Sequence, residues 1–131
     1  MSTERVTKYV TAVQAYMQQA SHATNAQILA YLQQTYPELS ATTVHRITTR
    51  MVERGQLAFA PAGKDQAARF DANTAPHDHF QCGGCDRLRD VALPAMVFDA
   101  MKAQMGDCKI SGRLVVQGTC ARCIEKEQCH E

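Results

Sequence analysis

Two C-x-x-C motifs, Cys82/Cys85 and Cys120/Cys123, are the residues of this sequence best suited to chemistry. A C-x-x-C turn directs two thiolates toward one point, and two such turns can supply the four sulfurs of a tetrahedral zinc site with bonds of about 2.3 Å. A single motif could also be a redox pair, but two motifs in a chain without a secretory peptide favour structural zinc over disulfides. The sequence therefore predicts a zinc site.

A second metal site is indicated by His77 and His79, just before the first C-x-x-C motif. Alternate side chains of an extended segment point to the same face, so both imidazoles would lie together. The remaining cysteines lack such a pattern. We expect Cys108 to pack at the start of a strand, and Cys129 to lie with His130 in a solvated C-terminal tail.

The two halves of the chain differ in composition. Residues 1–72 carry seven Lys and Arg against five Asp and Glu and contain no Cys, whereas residues 73–131 carry seven against eight and contain all six Cys. Two domains of this size would have marginal cores, so a zinc site and a dimer interface would both add stability. We predict one domain at 1–70, a polar hinge at 71–76 and a second domain at 77–131.

The chain carries no targeting or membrane signal that we recognise. Its N-terminus has no apolar segment typical of a leader, and no stretch approaches the roughly 18 apolar residues that a membrane span needs. We therefore expect a cytoplasmic protein.

The first half has three stretches of helical periodicity. We expect the second helix to begin at Thr24-Asn25 and to end at Tyr36-Pro37. The third is expected to be capped by Ser40 and to stop at Gly55. The apolar positions of the three stretches are Val6, Val10, Val13 and Met17, then Ile28, Leu29 and Leu32, then Val44, Ile47, Met51 and Val52.

A β-hairpin is predicted after the third helix. Strand character at residues 56–60 and 67–70 flanks a turn from Pro61 to Asp65. Three helices followed by such a hairpin predict a winged-helix domain.

The third helix is the candidate DNA reader, because Arg46, Arg50 and Arg54 lie four residues apart on one stripe. The alternative is a solvated basic face, since a net charge of +2 for this half is weak for phosphate binding. In a dimer, two such helices could meet successive major-groove faces of a palindromic operator. The residues that we predict to contact DNA are Thr42, Thr43, His45, Arg46, Thr49 and Arg50.

The second half predicts sheet, helix and sheet, with both C-x-x-C motifs at strand ends. Strand character covers residues 110–116, before the second motif. The fold class is therefore α+β, with a small α/β domain after the winged helix. The positions with helical spacing are Leu93, Met96, Val97, Ala100, Met101 and Met105.

The winged-helix pattern, the polar hinge, the H-x-H-x-x-C-x-x-C segment and the terminal C-x-x-C together resemble the ferric-uptake-regulator family of metal-dependent repressors. The resemblance covers nearly the whole chain. It implies that the C-terminal domain forms a homodimer and that a second, regulatory metal fixes the two DNA-binding domains in the pose that binds an operator. It also implies that the structural zinc is held by Cys82, Cys85, Cys120 and Cys123.

The regulatory site of the family takes three histidines and two acids, and every position is filled in this sequence. Such imidazole and carboxylate ligands suit Fe²⁺ or Mn²⁺, and could also take Zn²⁺. By this resemblance the regulatory ligands are His22, Asp71, His77, His79 and Asp90.

Aspartate at both Asp71 and Asp90 is similar to the peroxide-sensing branch of the family. Zinc-uptake regulators usually have cysteine at the first position, and iron-uptake regulators commonly have glutamate at one or both. In the peroxide-sensing branch, bound Fe²⁺ reacts with hydrogen peroxide, a histidine is oxidised and DNA is released. The resemblance thus predicts His22 and His77 as oxidation targets and Mn²⁺ as an unreactive corepressor. The alternative is an iron- or manganese-responsive uptake regulator.

The sequence departs from the family pattern in two places. Where the recognition helix of the family often reads Val-Tyr-Arg, this chain has Val44-His45-Arg46, so we expect a different base preference. The chain also begins without the extra N-terminal helix of many members, so we expect one source of basic contacts to be missing.

Two other classes of protein are less well supported. A protein-interaction module stabilised by zinc would leave unexplained the five positions that match the regulatory metal site of the family. A metalloenzyme would need an open coordination position and a substrate pocket, and the sequence has neither a nucleophile motif nor a Gly-rich phosphate loop. We therefore expect a regulator rather than an enzyme.

Overall fold

The computed structural model describes residues 3–129, with side chains from 7 to 126. The chain divides into two compact units, the first ending at Ala75 and the second beginning at Pro76. The elements in chain order are α1 (Thr3–Ala20), β1 (His22–Thr24), α2 (Asn25–Leu32), α3 (Ala41–Glu53), β2 (Ala58–Ala60), β3 (Arg69–Asp71), β4 (Asp78–Cys82), β5 (Leu88–Val91), α4 (Ala95–Met105), β6 (Val115–Gly118) and α5 (Ala121–Cys129).

Helix α1 provides one wall of the core of the first unit. The predicted stripe is confirmed for Val13 and Met17, which are buried, and Val10 packs partly exposed against the same core. The side chain of Val6 lies outside the described residues. Tyr9, four residues before Val13 and on the same helix face, is also buried although the sequence did not single it out.

Helix α2 begins where the sequence predicted, at a capping box. The Thr24 hydroxyl accepts from the Gln27 amide at 3.2 Å, and the Gln27 side chain accepts from the Thr24 amide at 2.9 Å. The predicted end is wrong, because α2 stops at Leu32 and not at Tyr36-Pro37. Turns replace the expected last helical turn, and the Tyr36 amide donates to the Leu32 carbonyl at 2.8 Å.

Helix α3 has the predicted cap and the predicted buried face. The Ser40 hydroxyl accepts from the Thr43 amide at 3.2 Å, which satisfies one of the amides left open at a helix start. Gly55, with φ +72°, takes the left-handed conformation in which the chain leaves the helix. The buried residues of α3 are Val44, Ile47, Thr48 and Met51.

The wing is a three-stranded sheet with the order β1-β3-β2. Strands β2 and β3 form the predicted antiparallel hairpin, with Phe59 opposite Phe70, although both are shorter than expected. Strand β1 was not predicted, and it pairs with the other edge of β3 so that His22 lies opposite Asp71. Asp71, which the sequence analysis assigned to the hinge, is therefore the buried last residue of a strand.

The second unit has β4 at the centre of a sheet with the order β5-β4-β6. Strand β5 pairs antiparallel with β4, and β6 pairs parallel with it. Helix α4 contains five of the six positions with predicted helical spacing, whereas Leu93 precedes it. The helix ends at Met105, before Gly106 with φ +64°, and none of its residues is buried. The fold class is α+β, as predicted, and the short helix α5 is an addition that the sequence analysis did not include.

Two expectations for the second unit are wrong. The predicted strand at 110–116 begins only at Val115, because the Leu114 amide donates to the buried carboxylate of Asp78 at 2.9 Å. Cys108 does not pack at a strand start, since it is exposed and follows the end of α4. His130 and the side chain of Cys129 lie outside the described residues.

Among residues 3–129, the structure has no helix that is both long enough and apolar enough to cross a membrane.

Candidate functional site

The sheet of the second unit brings the two C-x-x-C motifs together. Cys82 ends β4, and the parallel pairing of Cys82 with Gly118 places it beside the chain that leads from β6 into Cys120 and α5. The four sulfurs all lie within 4.8 Å of one another. The four cysteines predicted from the sequence, Cys82, Cys85, Cys120 and Cys123, thus form one cluster.

The spacing of these sulfurs fits a metal and not a disulfide. The Cys82 and Cys123 sulfurs are 3.7 Å apart, and those of Cys85 and Cys120 are 3.8 Å apart. A disulfide bond is about 2.05 Å long. Neighbouring sulfurs around a tetrahedral ion with bonds of about 2.3 Å lie about 3.8 Å apart. The cluster therefore has the dimensions of a closed four-thiolate site.

Backbone amides favour the thiolate form of Cys82. It accepts from the amides of Cys120 and Gly84 at 3.3 Å and of Cys85 at 3.5 Å. These bonds, led by the one from Cys120, lower the pKa of Cys82 to about 6. Hydrogen bonds with the Cys120 and Cys82 side chains raise the pKa of Cys123 to about 12. The fold thus places a sulfur that is already a thiolate at neutral pH beside a thiol that must lose its proton before it can bind a metal.

A glycine in the first motif lets the cluster close. A Cβ atom added to Gly84 would lie 3.0 Å from the Cys123 sulfur, whereas one added to Gly83 would meet nothing nearer than the Gly118 carbonyl at 3.8 Å. The residue between Gly83 and Cys85 must therefore be small.

The second unit also holds a cluster of two imidazoles and a carboxylate. His79 and Asp90 are partners across β4 and β5, and His77 lies two residues earlier on the same face as His79. The Nε2 atoms of His77 and His79 are each 3.3 Å from Oδ1 of Asp90. The two rings tilt at 60° with centroids 4.4 Å apart, so both nitrogens converge on one oxygen.

The first unit holds a smaller cluster, His22 and Asp71, which are opposite one another on β1 and β3. His22 Nε2 lies 3.4 Å from Asp71 Oδ2, and the Asp71 side chain is 1% exposed. The other oxygen, Oδ1, accepts from the Asn73 amide at 2.9 Å, which fixes the orientation of the carboxylate. A buried charge must be paired or coordinate a metal, and this carboxylate faces an imidazole that is itself a common metal ligand.

The nitrogen-to-oxygen distances in both clusters are long for hydrogen bonds between charged groups, which are about 2.7–2.9 Å. They match the separation of about 3.0–3.5 Å between neighbouring ligand atoms around an ion with bonds of about 2.1 Å. The donor set of imidazole and carboxylate also fits a divalent transition metal. Each unit therefore carries a part of a ligand set of the kind the sequence predicted.

The predicted DNA-contact residues lie on α3, on faces that the core leaves open. Only Thr43 is half-buried, and its amide and hydroxyl both contact Ser40 at the helix start. Among the described residues, Arg46, Arg50 and Arg54 form no ion pair, so their guanidinium groups remain available to phosphates. The exposed members of the predicted set are Thr42, His45, Arg46, Thr49 and Arg50.

The sequence analysis missed a polar contact between this helix and α2, which is made by Asn25 of α2 with His45 and Thr48 of α3. Asn25, the first residue of α2, reaches His45, and the buried Thr48 hydroxyl reaches Asn25. A polar residue one position inside a helix start carries no distinctive signal, so only the packing of α2 on α3 reveals the contact.

Comparison with known proteins agrees with this fold. The chain is 26% identical over 108 residues to the peroxide-responsive repressor PerR of Staphylococcus aureus, covering 81% of this chain and 72% of that protein. Its fold is similar to the ferric uptake regulator Fur of Helicobacter pylori, described as having three functional metal-binding sites, with a TM-score of 0.72 and 18% identity over 89% of this chain and 80% of that one. It is also similar to the peroxide stress regulator of Campylobacter jejuni, with a TM-score of 0.68 and 17% identity over 91% of each chain.

A winged helix joined to a metal-binding α/β unit defines a metal-responsive transcription regulator. The sequence model of the ferric uptake regulator family matches residues 2–107, and the chain belongs to that family. Members of this family bind DNA as dimers and are regulators, not enzymes.

Proposed function

We propose that this protein is a homodimeric repressor that binds a palindromic operator when a regulatory metal joins the ligands of both units. The ion would be Fe²⁺ or Mn²⁺, and the four cysteines would hold Zn²⁺. The observation that carries the proposal is that each unit has an incomplete set of ligands, two in the first and three in the second, already oriented by strand pairing. The proposed ligands are His22, Asp71, His77, His79 and Asp90.

The identity of each ion follows from its ligands. Four thiolates at tetrahedral spacing suit Zn²⁺. Three imidazoles and two carboxylates form a harder set, which suits Fe²⁺ or Mn²⁺. The structural zinc would hold the α5 end of the second unit against β4, and the regulatory ion would act on the two units together.

The regulatory ion would act by shifting a population of conformers. An ion that takes His22 and Asp71 from one unit and His77, His79 and Asp90 from the other has its highest affinity when the units adopt one mutual arrangement. If that arrangement also matches the spacing of the two operator half-sites, metal and DNA stabilise each other.

The dimer surface is proposed on the second unit. Its apolar side chains are left exposed in the single chain, and homodimer interfaces are richer in apolar residues than ordinary protein surfaces. Since the family forms dimers, a second copy of the chain would cover them. The exposed residues are Met96, Met105, Val115, Val116 and Ile124.

Peroxide is the proposed signal. Two observations support it: aspartate at both acid positions, and the 26% identity to a peroxide-responsive repressor. Bound Fe²⁺ would supply the redox reactivity toward hydrogen peroxide that Mn²⁺ lacks. An imidazole C–H of His22 or His77 would gain one oxygen atom while the peroxide leaves as water, and the altered ring would bind metal poorly.

An iron- or manganese-responsive uptake regulator is the second candidate, because the same ligands would bind the same ions without this oxidation.

Metal-dependent DNA selection tests the proposal. Zinc-containing protein with Mn²⁺ should enrich a palindromic sequence from a random DNA pool. The same zinc-containing protein without Mn²⁺ should not. The variant His22→Ala should retain zinc and the dimer but need at least roughly tenfold more Mn²⁺ for DNA binding, since loss of a direct ligand costs more than loss of its hydrogen-bonding support. Gln19→Ala, at an exposed position of α1, is the control and should behave as the native chain. Unchanged Mn²⁺ dependence in His22→Ala would contradict the proposed ligand set.

A further inference from the structure

Asn25 connects the buried core of the first unit to an exposed side chain of α3. Its Nδ2 atom lies 3.4 Å from His45 Nδ1, and its Oδ1 atom lies 2.8 Å from the Thr48 hydroxyl. Thr48 is completely buried, whereas His45 is exposed. The contact therefore extends from a fixed group to a side chain that faces solvent.

The Thr48 hydroxyl determines which way the Asn25 amide points. A hydroxyl has one proton to donate, and the Asn25 oxygen is nearer than the carbonyls of Val44 and His45, both at 3.2 Å. With Oδ1 engaged by this hydroxyl, the NH₂ group of Asn25 faces the imidazole.

An NH₂ group can only donate, so the nitrogen of His45 that faces it must be the acceptor. Nδ1 is then the unprotonated nitrogen of the neutral ring, and the proton is on Nε2. The side of the ring directed away from Asn25 is consequently a hydrogen-bond donor.

We infer that Asn25 is a positioning residue that sets the base preference of His45, by fixing the ring so that Nε2–H donates to the acceptor edge of a base pair. In the major groove, guanine offers two acceptors, N7 and O6, whereas cytosine offers the N4 amine, a donor. The structure thus assigns to His45 a preference for guanine over cytosine at one position of each half-site. This inference rests on the proposed DNA binding by α3.

Two experiments test the role of Asn25. The protein loaded with Zn²⁺ and Mn²⁺ selects sequences from a random DNA pool, and its affinity for the selected sites is then measured. At the position whose preference is lost in His45→Ala, native protein should favour guanine over cytosine about five- to tenfold, the value of about one directed hydrogen bond. Asn25→Leu and Thr48→Val should reduce this preference to about twofold or less, because the ring can then rotate and present either nitrogen. Preferences at all other positions should be unchanged, which also shows that the variants fold.

Thr48→Ser separates positioning from a general effect on stability. It keeps the hydroxyl and should keep the guanine preference, whereas a purely structural role would make Thr48→Ser and Thr48→Val weaken binding to all sequences equally. The inference is overturned if Asn25→Leu and Thr48→Val keep the preference, or if the His45-dependent position favours cytosine over guanine, since Nε2 would then be an acceptor and the amide would point the other way. If native protein selects no sequence at all, the proposed function fails and this inference fails with it.

Discussion

His22 and Asp71 face one another across neighbouring strands, with Nε2 of the imidazole 3.4 Å from Oδ2 of the carboxylate. The pairing is a consequence of β1, a strand of three residues that joins the edge of the wing sheet. Because of that strand, a residue that precedes α2 and a residue that ends β3 form one half of the proposed regulatory site. The wing sheet therefore positions two of the proposed metal ligands.

Asp71→Asn should weaken the metal response while keeping the fold. An asparagine can keep the hydrogen bond from the Asn73 amide through its own oxygen, but it loses the negative charge that a divalent ion needs. Mn²⁺-dependent DNA binding, followed by fluorescence anisotropy, should weaken at least roughly tenfold, and the melting temperature in the absence of Mn²⁺ should change little.

Asp65→Asn is the matched control for this substitution. Asp65 is exposed, and its carboxylate accepts from the Ala67 amide at 3.1 Å in a turn of the same kind. It should leave Mn²⁺-dependent binding unchanged. Equal losses of Mn²⁺-dependent DNA binding in the two variants would mean that the loss comes from a change in the turn and not from removal of a metal ligand.

Gly84→Ala should weaken zinc binding, because the new Cβ would lie 3.0 Å from the Cys123 sulfur. Overpacking of this kind costs about 1–3 kcal/mol, which corresponds to a loss of roughly five- to 150-fold in zinc affinity. Competition with a coloured zinc chelator measures it. Gly83→Ala is the adjacent control and should bind zinc normally, since its nearest contact is the Gly118 carbonyl at 3.8 Å. Equal zinc affinities for the two variants would show that the Cys123 sulfur does not lie as close to position 84 as described.

Proton release on zinc binding should distinguish Cys82 from Cys123. The pKa of Cys82 is lowered to about 6, so near pH 8 this sulfur is already a thiolate and releases almost no proton. The pKa of Cys123 is raised to about 12, so it must lose about one proton when it binds zinc. As pH falls through the pKa of Cys82, that thiol also becomes protonated, and zinc affinity should fall more steeply.

Calorimetry in buffers of different ionisation enthalpy measures these protons. Near pH 8, Cys123→Ser should reduce the number released by about one, and Cys82→Ser should leave it almost unchanged. The reverse order would contradict the hydrogen-bond pattern around the Cys82 sulfur.

Asp90→Glu should keep metal-dependent DNA binding but slow oxidation by peroxide. Oδ1 of Asp90 lies 3.3 Å from the Nε2 atoms of both His77 and His79, and one added methylene would move that oxygen. A displacement of this size at a reacting centre lowers a rate roughly ten- to a hundredfold. The rate of DNA release from the Fe²⁺ form after a peroxide pulse is the measurement, with Asp99→Glu on exposed α4 as the control. An unchanged rate in Asp90→Glu would argue against peroxide sensing.

The parts of the protein that the sequence predicted well are those specified by short local patterns. The C-x-x-C spacing indicated four sulfurs at one point, and Ser40, Thr24 and Gly55 marked helix ends through hydrogen bonds and backbone conformations that neighbouring residues determine. The fold class followed from helical periodicity and from the hairpin.

The parts that the sequence could not predict depend on contacts between distant residues. Strand β1 is too short to show alternation, and it exists because β3 offers an open edge. The strand expected at 110–116 starts late because Asp78 takes the Leu114 amide. The ligand role of His22 came from family resemblance alone, since a single histidine before a helix has no pattern of its own.

We propose that one regulatory ion takes both His22 and His77 as ligands and makes the protein a peroxide sensor. Peptide mass spectrometry tests it most directly: zinc-containing protein is loaded with Fe²⁺ without oxygen, given a brief peroxide pulse and digested, with an Mn²⁺-loaded sample treated in parallel. We expect the addition of one oxygen atom to the peptides of His22 and His77 in the Fe²⁺ sample only, with His45 unmodified. Unmodified His22 and His77 peptides despite confirmed iron occupancy would contradict peroxide sensing and favour an iron- or manganese-responsive uptake regulator.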